Sequence, residues 1–144
     1  MSKLDAVNRC LQAIGEDPVM SLTSGLDDAE NAEDFLEATS RQVQESGWYC
    51  NTEPDVVLQP GPDGTISLPF NALKVTPSGF HKFRKLRNQS GKLYDVKANS
   101  NVFSGPVTCT LVFELDFEDL DFALQDYISA VAAQTYQSSV MGST

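Results

Sequence analysis

The stretch VTCTLVFELDFEDLDFALQDYI, residues 107–128, changes its hydrophobic period halfway along. Val107, Cys109, Leu111, Phe113 and Leu115 point one way, while Thr108, Thr110 and Glu114 point the other. Alternation with a period of two sends successive side chains to opposite faces, which predicts a strand over 107–115. Beyond it, Leu120, Leu124, Tyr127, Ile128, Val131 and Thr135 share one helical face. That spacing predicts a helix over 118–141, with Asp116 as its N-cap and Asp119 in its first turn. Ala130, Ala132 and Ala133 keep the middle of this helix thin, which suits close packing.

Working outward from this strand-to-helix junction, two further helices are expected upstream. Leu4, Val7, Leu11 and Ile14 form one helical stripe, predicting a helix over 2–15. Ser2 and Asp5 have the spacing of a capping box, and Gly15 followed by Pro18 is a stop signal. A second helix is expected over 27–46, with Ala32, Phe35, Leu36, Thr39 and Val43 on its inner face and Gly47 at its end. Asp27, Asp28 and Glu30 crowd its first turn, where the helix dipole favours negative charge. Residues 54–115 are dense in turn residues, with Asp63-Gly64 the strongest signal, and short apolar runs at 56–58, 65–68 and 73–76 read as strands. The pattern predicts an α+β fold: one domain over 1–144, an antiparallel helical bundle with an inserted small antiparallel β-sheet.

Composition narrows the function classes. A chain of 144 residues is one domain's worth and buries roughly 70% of its unfolded surface. No apolar run approaches the ~20 residues of a membrane-spanning helix, and the first fifteen residues lack the apolar core of a secretory signal. Cys10, Cys50 and Cys109 are an odd number, widely spaced and without a CxxC pair. They read as small buried hydrophobes in a reducing compartment, not as a disulfide framework or zinc site.

Charge is segregated along the chain. Residues 1–73 hold 13 acids and 3 bases, residues 74–97 hold 7 bases and one acid, and residues 98–144 hold 6 acids and no base. A basic island between acidic arms suits contact with a polyanion or with an acidic surface, including another copy of the chain. Within the island, Lys82, Arg84, Lys85 and Arg87 interleave with Phe80, Phe83 and Leu86, and Lys92 follows. Neither face of this segment is cleanly apolar, so an exposed hairpin or loop is expected.

Catalytic chemistry has little support. His81 is the single histidine, open to reading as a base, a phosphate contact or a surface residue, and no GxSxG elbow accompanies it. The acids Asp116, Glu118, Asp119 and Asp121 lack EF-hand spacing and read as helix-start capping. No P-loop or GxGxxG occurs, so no cofactor, metal or catalytic residue is expected. Two alternatives are carried: a tail-associated glycan hydrolase using Asp116, Glu118 and Asp119, and a small nucleic-acid-binding module built on residues 80–92. The net charge of −10 argues against the second.

Two stretches carry a family resemblance. The first is Leu4-Asp5-Ala6-Val7-Asn8 with Leu11, Ile14-Gly15-Glu16, Pro18-Val19 and Ser21-Leu22; the second is Arg41-Gln42-Val43-Gln44, Gly47-Trp48-Tyr49 and Asn51-Thr52-Glu53. Together with Asp63-Gly64, Leu68-Pro69, Asn71, Leu93-Tyr94-Asp95, Phe117-Glu118-Asp119-Leu120 and Tyr127-Ile128, they resemble the tail tubular protein A family of short-tailed bacteriophages over about 4–143. The resemblance implies a virion protein made in the bacterial host cytoplasm. It implies a head-to-tail adaptor, or gatekeeper, assembled as a dodecameric ring between the portal protein and the tail nozzle, tail tubular protein B. Duplex DNA would pass through its channel during ejection without sequence-specific contact.

Gly47, Trp48 and Asn51 are then expected to be structural, with Trp48 seating its ring at the helix–sheet junction. Lys82, Arg84, Lys85, Arg87 and Lys92 are expected at an interface or against DNA. The chain departs from the family pattern at Asp121, where a proline is common, and at Val131 and Gln134, where bases are frequent. It also stops at Gly142-Ser143-Thr144, where relatives continue into another helix; either a natural short form or a truncated chain is expected.

Overall fold

The computed structural model describes residues 1–141; the tripeptide Gly142-Ser143-Thr144 lies outside them. The fold is mixed α+β, with three α-helices and small antiparallel sheets. The chain forms two compact units, Met1–Val43 with the described residues from Leu115 on, and Gln44–Glu114. No described helix is long and apolar enough to cross a membrane.

The first unit is helical. Helix α1 (Lys3–Ala13) opens on the expected capping box: the Ser2 hydroxyl accepts from the Asp5 N–H at 3.1 Å, and the Asp5 carboxylate accepts from the Ser2 N–H at 3.2 Å. Helix α2 (Asp27–Gln44) buries Ala32, Leu36 and Thr39, three of the five positions assigned to its inner face. Helix α3 (Phe122–Met141) buries Leu124, Ile128, Ala132 and Tyr136. Arg9 joins α1 to α3 through Asp126 at 2.9 Å and Ser129 at 2.8 Å. Lys3 joins α1 to α2 through Glu33 at 3.1 Å and Glu37. The Phe35 and Tyr136 rings, 5.2 Å apart, join α2 to α3, and the Tyr136 hydroxyl donates to the Asp28 carbonyl. Exposed ion pairs contribute about 0–1 kcal/mol each, whereas each buried leucine or isoleucine contributes about 1.5–3 kcal/mol, so apolar burial sets this unit's stability.

The start of α3 differs from expectation. Phe117–Asp119 forms a separate 3-10 turn, Leu120 is extended, and α3 begins at Phe122, with the Asp121 carbonyl accepting from the Gln125 N–H at 2.9 Å. Asp116 makes no side-chain capping bond. Phe117 and Leu120 are both buried, and across the break the Gln125 side chain, itself buried, donates to the Phe117 carbonyl at 2.9 Å.

The second unit is β-rich. Strands β1 (Thr52–Leu58), β2 (Ala72–Pro77) and β5 (Val107–Phe113) form an antiparallel sheet in the order β1-β5-β2. Strands β3 (Leu86–Gln89) and β4 (Lys92–Asp95) form a hairpin across Ser90-Gly91, as the basic island's mixed faces suggest. The strand expected over 65–68 is reduced to one bridge, Ser67 to Lys92. Pro69 lacks the N–H that a further rung would use. Val107, Cys109 and Leu111 on β5 pack with Ile66, Leu68, Leu93 and Phe103 as one core cluster, while Val112 is buried on the opposite face. β5 is therefore covered on both sides, which explains why its run is apolar beyond simple alternation.

Both ends of the inserted unit are held by one side chain. The Asn51 amide donates to the Gln44 carbonyl at 3.0 Å and to the Phe113 carbonyl at 2.9 Å, and its oxygen accepts from the Trp48 N–H at 2.8 Å. The Asn51 backbone carbonyl also accepts from the Phe113 N–H at 2.8 Å. The turn before it needs Gly47, which sits at φ +82° with its α-carbon facing Val112 closely enough that a Cβ would lie 3.2 Å from Val112 Cγ2. Asn51→Ala is expected to destabilise by about 2–4 kcal/mol, since one buried and two partly buried backbone groups lose their partner. Gly47→Ala should cost about 1–2 kcal/mol through its left-handed backbone. Urea titration followed by far-ultraviolet circular dichroism checks both; an Asn51→Ala loss under 0.5 kcal/mol would refute the role given to this side chain.

Candidate interaction surface

The basic island does not form one uniform patch. After β2, Gly79–His81 makes a 3-10 turn that lifts Phe80 and Phe83 into solvent, 94% and 86% exposed. Such exposure is unusual for phenylalanine, because an exposed ring forgoes about 1.5–3 kcal/mol of burial. Beside them an open groove of about 1,060 Å³ runs between the turn and the Asp95–Ala98 loop.

The five cations singled out in the sequence divide by what they touch. Arg84 donates to Asp95 at 2.8 Å and lies over the Phe103 ring at 5.5 Å, so it braces the groove wall. Arg87 stacks over Tyr94 at 4.7 Å across the hairpin, and Lys92 donates to Thr65 at 2.8 Å. Lys82 lies 5.1 Å from the Phe83 ring centroid and is exposed. Lys85 is exposed and has no ion pair among the described residues. Lys97 also lines the groove; it belongs to the same charge run, and only the fold of the loop brings it back beside Lys85.

Asp95 is the electrostatic anchor of this region. The backbone N–H of Ala98 and the Arg84 guanidinium hold its carboxyl below the usual carboxylate range. His81 Nδ1 accepts from the Thr108 N–H at 3.1 Å, which ties the turn to β5 and engages that ring nitrogen. Trp48 is 40% exposed, so its ring is only partly covered, and its neighbour Tyr49 is more open still.

The residues considered for catalysis sit on one open turn. Asp116, Glu118 and Asp119 are all exposed around the 3-10 turn, and Glu118 accepts from the Lys3 N–H. Among the described residues, no three His, Cys, Asp or Glu side chains are grouped to hold a metal ion. Burial pushes the thiols of Cys10 and Cys109 up to about 11, so both are protonated at neutral pH and poor nucleophiles.

Two outcomes follow. Under native conditions maleimide should leave Cys10 and Cys109 unmodified, and both should react once urea unfolds the chain; rapid native labelling of either would contradict their burial. Because the folded carboxyl of Asp95 titrates below its unfolded value, the stability it lends is complete above the ordinary carboxylate range. That stability is lost as the pH falls through the lower folded value. Asp95→Asn should therefore destabilise at pH 7 and make little difference near pH 2, measured by denaturant titration at both.

Comparison with known proteins gives this constellation a setting. The tail tubular protein family model matches residues 4–144. Tail tubular protein A of Klebsiella phage KP34 is 33% identical over 143 residues, covering 99% of this chain and 75% of that relative. The match spans the helices, the Asn51 clasp and the basic hairpin alike, and the chain belongs to the tail tubular protein family, structural components of the bacteriophage virion tail.

Proposed function

We propose that this chain is a head-to-tail adaptor of a short-tailed phage. Its helical and sheet units act together as one adaptor domain, with the helices as an antiparallel bundle. Copies form a ring, expected to be dodecameric, between the portal protein and the nozzle, and genomic DNA passes through the ring. The observation that carries this reading is the family match over nearly the whole chain. Charge adds support: the helical unit holds 14 acids against 3 bases, while the inserted unit holds 6 acids against 7 bases. An acidic wall repels phosphate and lets DNA slide, while exposed basic and aromatic groups suit protein contacts. Gly47, Trp48 and Asn51 are given structural roles in it; Lys82, Arg84, Lys85, Arg87 and Lys92 serve at the interface, Lys82 and Lys85 by direct contact and the other three by shaping the surface that carries them.

The test is an amber mutation in the gene of the phage that encodes the chain, followed by electron microscopy of lysates from a non-suppressing host. DNA-packaging heads without attached tails, restored by the protein supplied in trans, are the expected result. Tailed, infectious particles lacking the protein would overturn the adaptor reading.

A further inference from the structure

The inserted unit displays two exposed phenylalanines on a groove that Lys85 and Lys97 also line, with Lys82 over the Phe83 ring, and the helical unit displays acids that its own cations do not neutralise. On α2, Glu33 and Glu37 are four residues apart and share Lys3. Glu30 and Asp34 have the same spacing and no ion-pair partner among the described residues. Like charges at this spacing destabilise a helix, so a cationic partner would relieve a cost left standing in the single chain. Leu26, Asp27, Glu30 and Asp34 lie along one exposed side of α2, and Leu26 is 56% exposed. This stripe is apolar at one end and acidic along the rest.

We propose that the Phe80–Phe83 tip and its groove on one copy dock on the α2 stripe of a second copy. This rests on the ring reading above and names the surfaces that would close it. Lys82 and Lys85 face Glu30 and Asp34, while Phe80 and Phe83 cover Leu26. In a ring each copy gives its tip to one neighbour and its stripe to the other, a heterologous contact that passes from copy to copy. Duplex DNA is the weaker occupant: phosphates would satisfy the lysines but leave both rings in water, and the net charge of −10 opposes approach.

The test has two arms. Purified virions are treated with a carbodiimide, which joins a lysine directly to a touching carboxylate, and the oligomer bands are digested and sequenced by mass spectrometry. Peptides joining Lys82 or Lys85 to Glu30 or Asp34 are expected. An oligomer ladder without such peptides overturns this assignment and leaves the ring standing, whereas no ladder at all removes both. In the second arm the phage carries K82E/K85E, E30K/D34K or all four changes. Each double variant should lower tail attachment about tenfold or more, and the fourfold variant should recover it, because the charges are exchanged, not removed. Failure of recovery, with K82E/K85E protein losing salt-sensitive retention of duplex DNA on filters, would assign the tip to nucleic acid instead.

Discussion

Asn51 satisfies backbone groups from three separate pieces of chain: the end of α2 at Gln44, the turn at Trp48 and the end of β5 at Phe113. A peptide group buried without a partner costs more than an ordinary hydrogen bond gains, so these positions must be matched together or not at all. Asn71 repeats the device one residue further on, exchanging bonds with Glu114 through its backbone and side chain. The first and last residues of the inserted unit are thereby fixed to one another. The clasp places the end of β5 beside the start of β1, the pairing the sheet continues in its order β1-β5-β2.

The clasp leaves the far part of the insertion free to serve contact. The Gly79–His81 turn buries none of its residues, and Phe80 and Phe83 face solvent. Arg84 and Asp95 hold the groove wall, Lys85 and Lys97 line it, and Lys82 is exposed beside Phe83. A protein whose work is assembly keeps its chemistry at such surfaces: protonated buried thiols and an engaged histidine nitrogen serve packing, and charge placement is what changes from one unit to the next.

Much of the local structure was legible because it depends on near neighbours. The Ser2–Asp5 box, the end of α2 before Gly47, the Asp63-Gly64 turn and the alternation of β5 are all set within a few residues. The family itself was legible in the GWYCNTE stretch and its flanks. Where reading along the chain missed, a distant partner decided. The α3 start lies at Phe122 and not at 118: Leu120 is extended, and the Gln125 side chain donates to the Phe117 carbonyl across the break. The run at 65–68 lost its strand because its one partner is the short β4.

The basic island shows the division most clearly. Sequence by itself determined that seven cations and two phenylalanines would share a short, poorly patterned segment, because charge and period are properties of order along the chain. It could not sort them. Arg84 and Lys92 face Asp95 and Thr65, and Arg87 stacks on Tyr94, because pairing β3 with β4 and bridging Ser67 to Lys92 bring those groups within reach. Lys82, Lys85 and Lys97 lie outside the paired strands, are exposed, and have no ion pair among the described residues. Which cations are spent inside the fold and which remain for a partner is a question of distance, and only the tertiary structure sets distance.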